Sequence, residues 1–354
     1  MPAHPIRCGL IGYGLSGRVF HAPFVTLLEA FKLQAVMTRD GQSVLDRYPD
    51  ARIESTSEAL FTADDIDLII ITAPNHLHYS LAQAALNAGK DVVLEKPAVT
   101  RLADMESLSV LAKTRGKVLS VYQNRRFDGD FLQLEKLVSG GSLGQLKHLD
   151  SRFDRFRPTP QQRWREQPGE GTGIFWDLGP HLMDQALALL GPPIALQASL
   201  QTLREGGQTT DWFEVELDYP GTRVVLGSTP FEAGPMRRFN ARFTEGSWQC
   251  WGLDPQEEAL RADQMPWHSG YPDAGASQQA SRHQLSDEGA VISTDDAPEP
   301  GHYRHFYQTL AQAIDTGSPP PVSLHDACAL IYGLELAEQS SQLGKRLNWD
   351  YPGG

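Results

Sequence analysis

Between Ile6 and Val121 short, almost wholly apolar runs alternate with longer segments of helical period. Arg7-Cys8-Gly9-Leu10-Ile11, Leu33-Gln34-Ala35-Val36-Met37, Leu68-Ile69-Ile70-Ile71-Thr72, Asp91-Val92-Val93-Leu94-Glu95 and Val118-Leu119-Ser120-Val121 read as strands. Gly17 to Ala30, Tyr79 to Ala88 and Leu102 to Thr114 read as helices, with Gly89 and Gly116 as stops for the last two. Strands with no wet face, separated by helices, predict a parallel sheet covered on both sides.

Past residue 122 the texture changes. Phe131 to Val138 and His181 to Leu190 are helix-like, and Leu324 to Leu343 is a late helix that could pack back on the first domain. Trp212-Phe213-Glu214-Val215-Glu216-Leu217 and Arg223-Val224-Val225-Leu226-Gly227 alternate or run apolar across a Pro220-Gly221 turn, which predicts hairpins in an antiparallel or mixed sheet. Trp248 and Trp251 flank Cys250 as in a half-buried strand, and residues 269–301, rich in Ser, Gln, Asp, Gly and Pro, read as a long surface loop. A chain of 354 residues is too long for one typical core, so two domains are expected, 1–122 and 123–354.

Composition narrows the function classes. Hydrophobic residues make up 40% and charged residues 21%, as in an ordinary globular protein. The 44 acidic and 31 basic side chains leave a net charge of −13, which repels a polyanion, and no Lys/Arg cluster offsets it; nucleic acid is not an expected partner. Cys8, Cys250 and Cys328 form neither a disulfide framework nor a zinc motif. Met1 to Arg7 lacks the apolar stretch of a signal peptide, and no segment approaches the roughly 20 apolar residues of a membrane span. A soluble, cytoplasmic protein is the expectation.

Gly12-Tyr13-Gly14-Leu15-Ser16-Gly17 is a GxGxxG that follows a strand directly and opens a helix. In a strand–helix–strand unit this is a dinucleotide fingerprint. Gly12 permits the tight turn, Gly14 lets backbone approach a pyrophosphate, and Gly17 allows close helix–strand packing. Backbone N–H groups and the helix dipole then favour the phosphates. A ligand-free βα turn uses the same glycines, and the context separates the two. About 20 residues on, where an NAD enzyme carries an acid for the ribose, stands Thr38-Arg39-Asp40. A guanidinium there suits a 2′-phosphate, so NADP is expected over NAD; the alternative is a solvated Arg39 with Asp40 on the ribose.

Two further motifs bear chemistry. Glu95-Lys96-Pro97 ends a parallel strand, where open α/β sheets bind ligands, so Lys96 is either a surface charge or a cation aimed at the cofactor. In Gly171-Thr172-Gly173-Ile174-Phe175-Trp176-Asp177-Leu178-Gly179-Pro180-His181, Pro180 suits the first turn of a helix, with Asp177 just before it and His181 within it. That spacing can set both side chains on one side, as a proton-transfer pair or as a cap and a core histidine. His76 and His78 form an HxH without a third ligand at a metal spacing and are read as core or cap histidines; His302 and His305 are read as structural or substrate-adjacent, and no metal is expected.

Together these motifs resemble the Gfo/Idh/MocA family of NAD(P)-dependent oxidoreductases over nearly the whole chain. Phe20-His21-Ala22-Pro23-Phe24, Tyr122-Gln123-Asn124-Arg125-Arg126-Phe127-Asp128-Gly129-Asp130 and Arg163-Trp164-Arg165-Glu166-Gln167 resemble the branch with NADP-dependent scyllo-inositol dehydrogenase. Gly169-Glu170-Gly171-Thr172-Gly173 departs from the three adjacent glycines usual there. The resemblance implies a Rossmann domain plus an α+β domain with a large open, mostly antiparallel sheet. It implies that Lys96 bonds the reacting oxygen, that His181 is the general base or acid, and that Asp177 orients substrate or His181. Pro74 and Asn75, and His78 counted with them, would line the nicotinamide side; Trp164 and Arg165 would reach the carboxamide or phosphates. Tyr122 and Asn124 would join Lys96, Asp177 and His181 at the substrate. The implied substrate is a polyol, inositol or sugar, and the implied assembly a homodimer or homotetramer. The alternatives are an NADP(H)-sensing regulator of the same fold and a reductase of an anhydro-ketose or another cyclic carbonyl.

Overall fold

The computed structural model describes residues 4–271, 278–286 and 288–352. The chain forms two compact units: Met1–Asn124 with Gln256–Tyr271 and His302–Cys328, and Arg125–Pro255 with Pro272–Gly301 and Ala329–Gly354.

In the first unit six strands, β1 (Ile6–Ile11), β2 (Phe31–Met37), β3 (Arg52–Glu54), β4 (Leu68–Ile71), β5 (Asp91–Leu94) and β6 (Leu119–Val121), form a parallel sheet in the order β3-β2-β1-β4-β5-β6. That is the Rossmann order, in which the direction of winding reverses between β1 and β4 and opens a crevice at the strands' carboxyl ends. Leu68, Ile69, Ile70 and Ile71 are all fully buried, as expected for a strand with helices on both faces.

The segment expected as one helix over 17–30 is shorter and begins differently. A wide turn spans Gly17–His21, a regular helix runs only over Ala22–Leu27, and Leu28 is extended. Pro23 explains the restart, because it has no N–H to give and is tolerated only in a helix's first turn. The other two helices, His78–Asn87 and Leu102–Arg115, lie within a residue or so of expectation, and Gly116 closes the second in the left-handed conformation (φ +63°).

Residues 256–271 and 302–328 join this first unit, whereas the sequence reading assigned everything after 122 to the second. Aromatic packing is the reason. On the helix Tyr303–Thr316, Tyr303, Phe306 and Tyr307 are fully buried; Phe306 stands edge-on to Tyr122 at 4.7 Å and Tyr307 to Phe31 at 5.5 Å. Ser120 and Val322 are bonded through the serine hydroxyl.

Among the described residues the second unit holds nine strands: β7 (Leu146–Arg152), β8 (Ala195–Gln201), β9 (Trp212–Tyr219), β10 (Thr222–Ser228), β11 (Arg237–Phe243), β12 (Gly246–Trp251), β13 (Gln279–Leu285), β14 (Val291–Asp295) and β15 (Leu347–Asn348). They form one open sheet, β14-β13-β12-β11-β7-β10-β9-β8-β15, antiparallel except for the β7–β10 pair. β9 alternates strictly between half-buried and buried, and in β12 Trp248 and Cys250 point inward. The loop expected over 269–301 contains the β13–β14 hairpin. Every residue of β14 is exposed, so it is held by backbone pairing at the sheet edge and leaves no apolar alternation to read. Residues 272–277 and 287 of that segment lie outside the described residues.

The helix expected from His181 begins earlier and spans Gly173–Leu190, with Pro180 well inside it. Gly173 adopts φ +83°, and the N–H of Ile174 bonds the carbonyl of Thr210 at 2.7 Å, which satisfies a first-turn donor without a side-chain cap. Proline at position 180 removes the N–H that would have bonded the carbonyl of Trp176. The last helix, Leu324–Leu343, gives only its start to the first unit. From Ala329 on it belongs to the second, where the hydroxyls of Ser340 and Ser341 accept from the N–H groups of Ala198 and Leu200 on β8.

Candidate active site

In the first unit the glycine loop leaves β1 at its carboxyl end. Gly12 has φ +94°, and a Cβ there would stand 2.8 Å from the Thr72 hydroxyl, which itself donates to the carbonyls of Ile11 and Gly12. A Cβ on Gly17 would run into the carbonyl oxygen of Gly12. At Gly14 a Cβ would meet nothing within 4 Å. Two of the glycines are therefore required by the protein's own packing, while Gly14 leaves open space over exposed backbone, the cradle a pyrophosphate needs. Tyr13 packs edge-on against Tyr48 at 6.5 Å, and Leu15 is exposed.

The far side of the loop is anchored by Glu95. Its Oε1 accepts from the Ser16 hydroxyl and lies 3.0 Å from His21 Nε2, and its Oε2 accepts from the N–H of Lys96 at 2.9 Å. His21 Nδ1 in turn meets the Tyr307 hydroxyl at 2.6 Å. Burial would raise the Glu95 carboxyl, but His21, Ser16 and the Lys96 charge outweigh it and hold it down at about 2. The Tyr307 phenol is pushed well up by burial and keeps its proton. Both Glu95 oxygens are thus engaged within the protein, so this residue supports the loop. Lys96 is half-buried where the chain leaves β5, and its bond to Pro97 is cis.

The other residues of this unit divide. Asp40 caps the short helix Gly41–Leu45 by accepting from the N–H of Ser43 at 3.3 Å, whereas Arg39 is exposed and carries no acid partner among the described residues. Thr38 accepts from the N–H of Asp40 through its hydroxyl. Pro74 is exposed and Asn75 half-buried, at the start of a short turn before the helix His78–Asn87. His78 is buried, with Nδ1 on the carbonyl of Pro97 at 2.9 Å and Nε2 on that of Ala73 at 2.8 Å. Burial lowers its pKa. His78 thus sits between the loops after β4 and β5, and His76 is exposed; no metal-type cluster occurs among the described residues. Tyr122, implied at the substrate, is instead 1% exposed, with its ring 4.4 Å from that of His21. Asn124 is buried at the head of the turn Asn124–Phe127.

In the second unit Asp177 and His181 lie one turn apart on the helix Gly173–Leu190, both helical rather than astride its start. Asp177 is half-buried, with Arg165 Nε 3.4 Å from its Oδ1; His181 is buried, with the Phe153 ring 6.3 Å away and edge-on. Trp164 is half exposed, and the Arg165 guanidinium lies 4.5 Å over its indole. Arg165 thus reaches an acid of this unit as well as the ring beside it. Arg126 makes a two-point pair with buried Asp184 at 2.7 and 2.8 Å. Arg125 bonds buried Asp128 at 3.0 Å.

The sequence reading missed three things. His21 was quoted without a role, and Tyr307 was overlooked because nothing in its local spacing connects it to residue 21. A basic cluster was also denied, yet Arg152, Arg155, Arg157, Arg163 and Arg165 fall within one short segment. The chain-wide acidic average concealed them.

Comparison with known proteins decides the family. Residues 6–123 match the model of the oxidoreductase family with an NAD-binding Rossmann fold, and residues 131–249 match the GFO/IDH/MocA C-terminal domain. The chain belongs to the Gfo/Idh/MocA family. It is 38% identical to the uncharacterized oxidoreductase YdgJ of Escherichia coli, covering 95% of this chain and 96% of that one. It is 36% identical to scyllo-inositol 2-dehydrogenase (NADP(+)) IolW of Bacillus subtilis, covering 95% and 94%. The solved structure of yvaA from Bacillus subtilis superposes with a TM-score of 0.94 at 32% identity, covering 99% of this chain and all of that one. This Gfo/Idh/MocA protein is therefore an NAD(P)-dependent oxidoreductase, with NADP or NAD as its cofactor and a small molecule as its substrate. No helix among the described residues is long and apolar enough to cross a membrane.

Proposed function

We propose that the chain is an NADP-preferring dehydrogenase that moves a hydride between the cofactor and a secondary alcohol of a polyol, inositol or sugar. The observation that carries this reading is the pair Asp177 and His181 on one helix, the imidazole buried and the carboxylate half-buried. Its likeness to the NADP-dependent scyllo-inositol dehydrogenase supports the substrate class.

The glycine loop Gly12–Gly17 would hold the cofactor's pyrophosphate on its N–H groups, and Arg39 would hold the 2′-phosphate. Pro74, Asn75 and the Lys96-Pro97 turn would border the nicotinamide. When bound, the nicotinamide supplies the hydride acceptor or donor. Lys96 lowers the alcohol's pKa by its charge, His181 takes the hydroxyl proton, and Asp177 orients the imidazole or a neighbouring hydroxyl. A homodimer or homotetramer is proposed as the assembly, to be measured by light scattering.

The test is a panel of inositols, polyols and sugars with NADP⁺ and with NAD⁺, followed by nicotinamide absorbance. Turnover of at least one secondary alcohol, faster with NADP⁺, is expected. Silence across the panel in both directions overturns the reading.

A further inference from the structure

Most arginines of this acidic chain have an acid beside them; a few near Asp177 do not. Arg152 pairs with Asp154 and Glu214, at 2.8 and 3.2 Å, and Arg165 pairs with Asp177. Arg155, Arg157 and Arg163 carry no acid partner among the described residues, although the chain has 44 acidic side chains to 31 basic. Arg155 and Arg157 are half-buried, which removes part of the water that would otherwise compensate them.

The backbone fixes where these two point. Past the end of β7 the backbone stays paired: Phe153, Arg155 and Arg157 donate from their N–H groups to the carbonyls of Gly227, Thr229 and Pro230, at 3.0, 3.0 and 2.8 Å, and Phe156 forms an isolated bridge with Phe231. An extended chain alternates its faces, so these three side chains share one side. Phe153 marks that side, because its ring meets the His181 ring. Asp154 and Phe156 take the other: Asp154 accepts from the Thr229 N–H at 2.9 Å, and Phe156 is exposed. Electrostatics agree. Burial lowers the pKa of Arg155, and Arg157, Arg125 and Arg163 lower it further against the opposing pull of Asp177. Asp177 is itself shared with Arg165.

A half-desolvated cation among like charges destabilises a fold unless an anion arrives. We propose that the substrate handled at Asp177 and His181 carries an oxyanion, a carboxylate or a phosphate, that Arg155 and Arg157 receive through their planar, forked donors. The substrate class is then a sugar acid or a phosphorylated polyol rather than a neutral inositol. This rests on the reading of Asp177 and His181 as the reacting pair.

Two arms test it on the full-length protein. In the first, inorganic phosphate is titrated at low ionic strength against the wild type, the double variant R155Q/R157Q and, as a control, R261Q, whose arginine pairs with Glu257 on another element. A saturable rise in Tm is expected for wild type and control and is lost in the double variant, with or without saturating NADP⁺. Equal responses in all three proteins overturn the proposal. So does abolition of the response by NADP⁺, which assigns the anion site to the cofactor's phosphates. Without phosphate the double variant should melt no lower than wild type; a drop of several degrees makes the arginines structural and also overturns it.

The second arm compares sugar acids and sugar phosphates with their neutral parents. The charged member should be favoured in kcat/KM by about ten- to a hundredfold, the range of a charge-assisted hydrogen bond or two, and R155Q should erase the preference. Carboxylate against phosphate ranks the two sources. Neutral polyols turned over equally well overturn the oxyanion and leave the dehydrogenase reading intact. Silence from every compound overturns the dehydrogenase reading, and the phosphate titration still decides the anion site.

Discussion

His21 Nε2 lies 3.0 Å from Glu95 Oε1, inside a core where the imidazole is wholly buried. The contact joins the glycine loop, through Ser16, to the helix Tyr303–Thr316, through Tyr307. It makes stability depend on pH in a defined direction. The Glu95 carboxyl, ordinarily near 4.5, is held at about 2 in the folded protein. Its stabilisation is therefore complete above the ordinary value and is lost as pH falls from there toward about 2. We expect the wild type to lose on the order of 3 kcal/mol over that window. E95Q should melt several degrees lower at pH 7 and show a shallower acid limb; parallel melting curves for the two proteins from pH 6 to pH 2.5 would refute this.

The three fingerprint glycines should separate in mutagenesis. G14A places its methyl in open space, so the protein should fold with a Tm within a few degrees of wild type yet bind cofactor at least tenfold more weakly. G17A forces its methyl against the Gly12 carbonyl and should fold poorly whether or not cofactor is present. Melting curves and a fluorescence titration with NADPH measure both.

Arg39 sets cofactor choice if it holds the 2′-phosphate. R39A should raise KM for NADP⁺ by about ten- to a hundredfold, as expected for one lost charge-assisted contact, and leave KM for NAD⁺ nearly unchanged. Because Asp40 is engaged as a helix cap, D40A should lower the melting temperature and leave the NADP⁺/NAD⁺ ratio alone.

At the reacting groups, K96A and H181A should each lower kcat about a hundredfold or more, with little change in Tm for K96A. H181N keeps a polar group of similar size and should fold, yet remain slow. Near-normal turnover in either alanine variant removes that residue from the mechanism.

Five strands of the first sheet were legible because burial writes an apolar run into them, and Leu68–Ile71 is such a run; the edge strand β3, Arg52–Glu54, is exposed or half-buried, carries no such run and was missed. The fingerprint was legible because its glycines answer to local backbone geometry. Other features depend on partners remote in sequence. Glu95 looked like part of a cofactor motif; only the folded chain shows its two oxygens taken by Ser16, His21 and the Lys96 N–H. Tyr122 looked like a substrate residue, and only the folded chain shows it packed edge-to-face with Phe306. Pro180 was read as a helix start because proline usually is one, and here the helix runs through it. β14 left no trace, since an exposed edge strand needs only backbone pairing.

His21 and Tyr307, which share a hydrogen bond, are separated by 286 residues of chain. A ribosome completes all six strands of the nucleotide-binding sheet long before it delivers the segment that seals their flank. Until then Phe24, Phe31 and Tyr122 stand uncovered, an invitation to aggregation or to a chaperone. A fragment cut at Asn124 would inherit that exposure permanently, so this Rossmann half is a poor candidate for transplantation as a free-standing module.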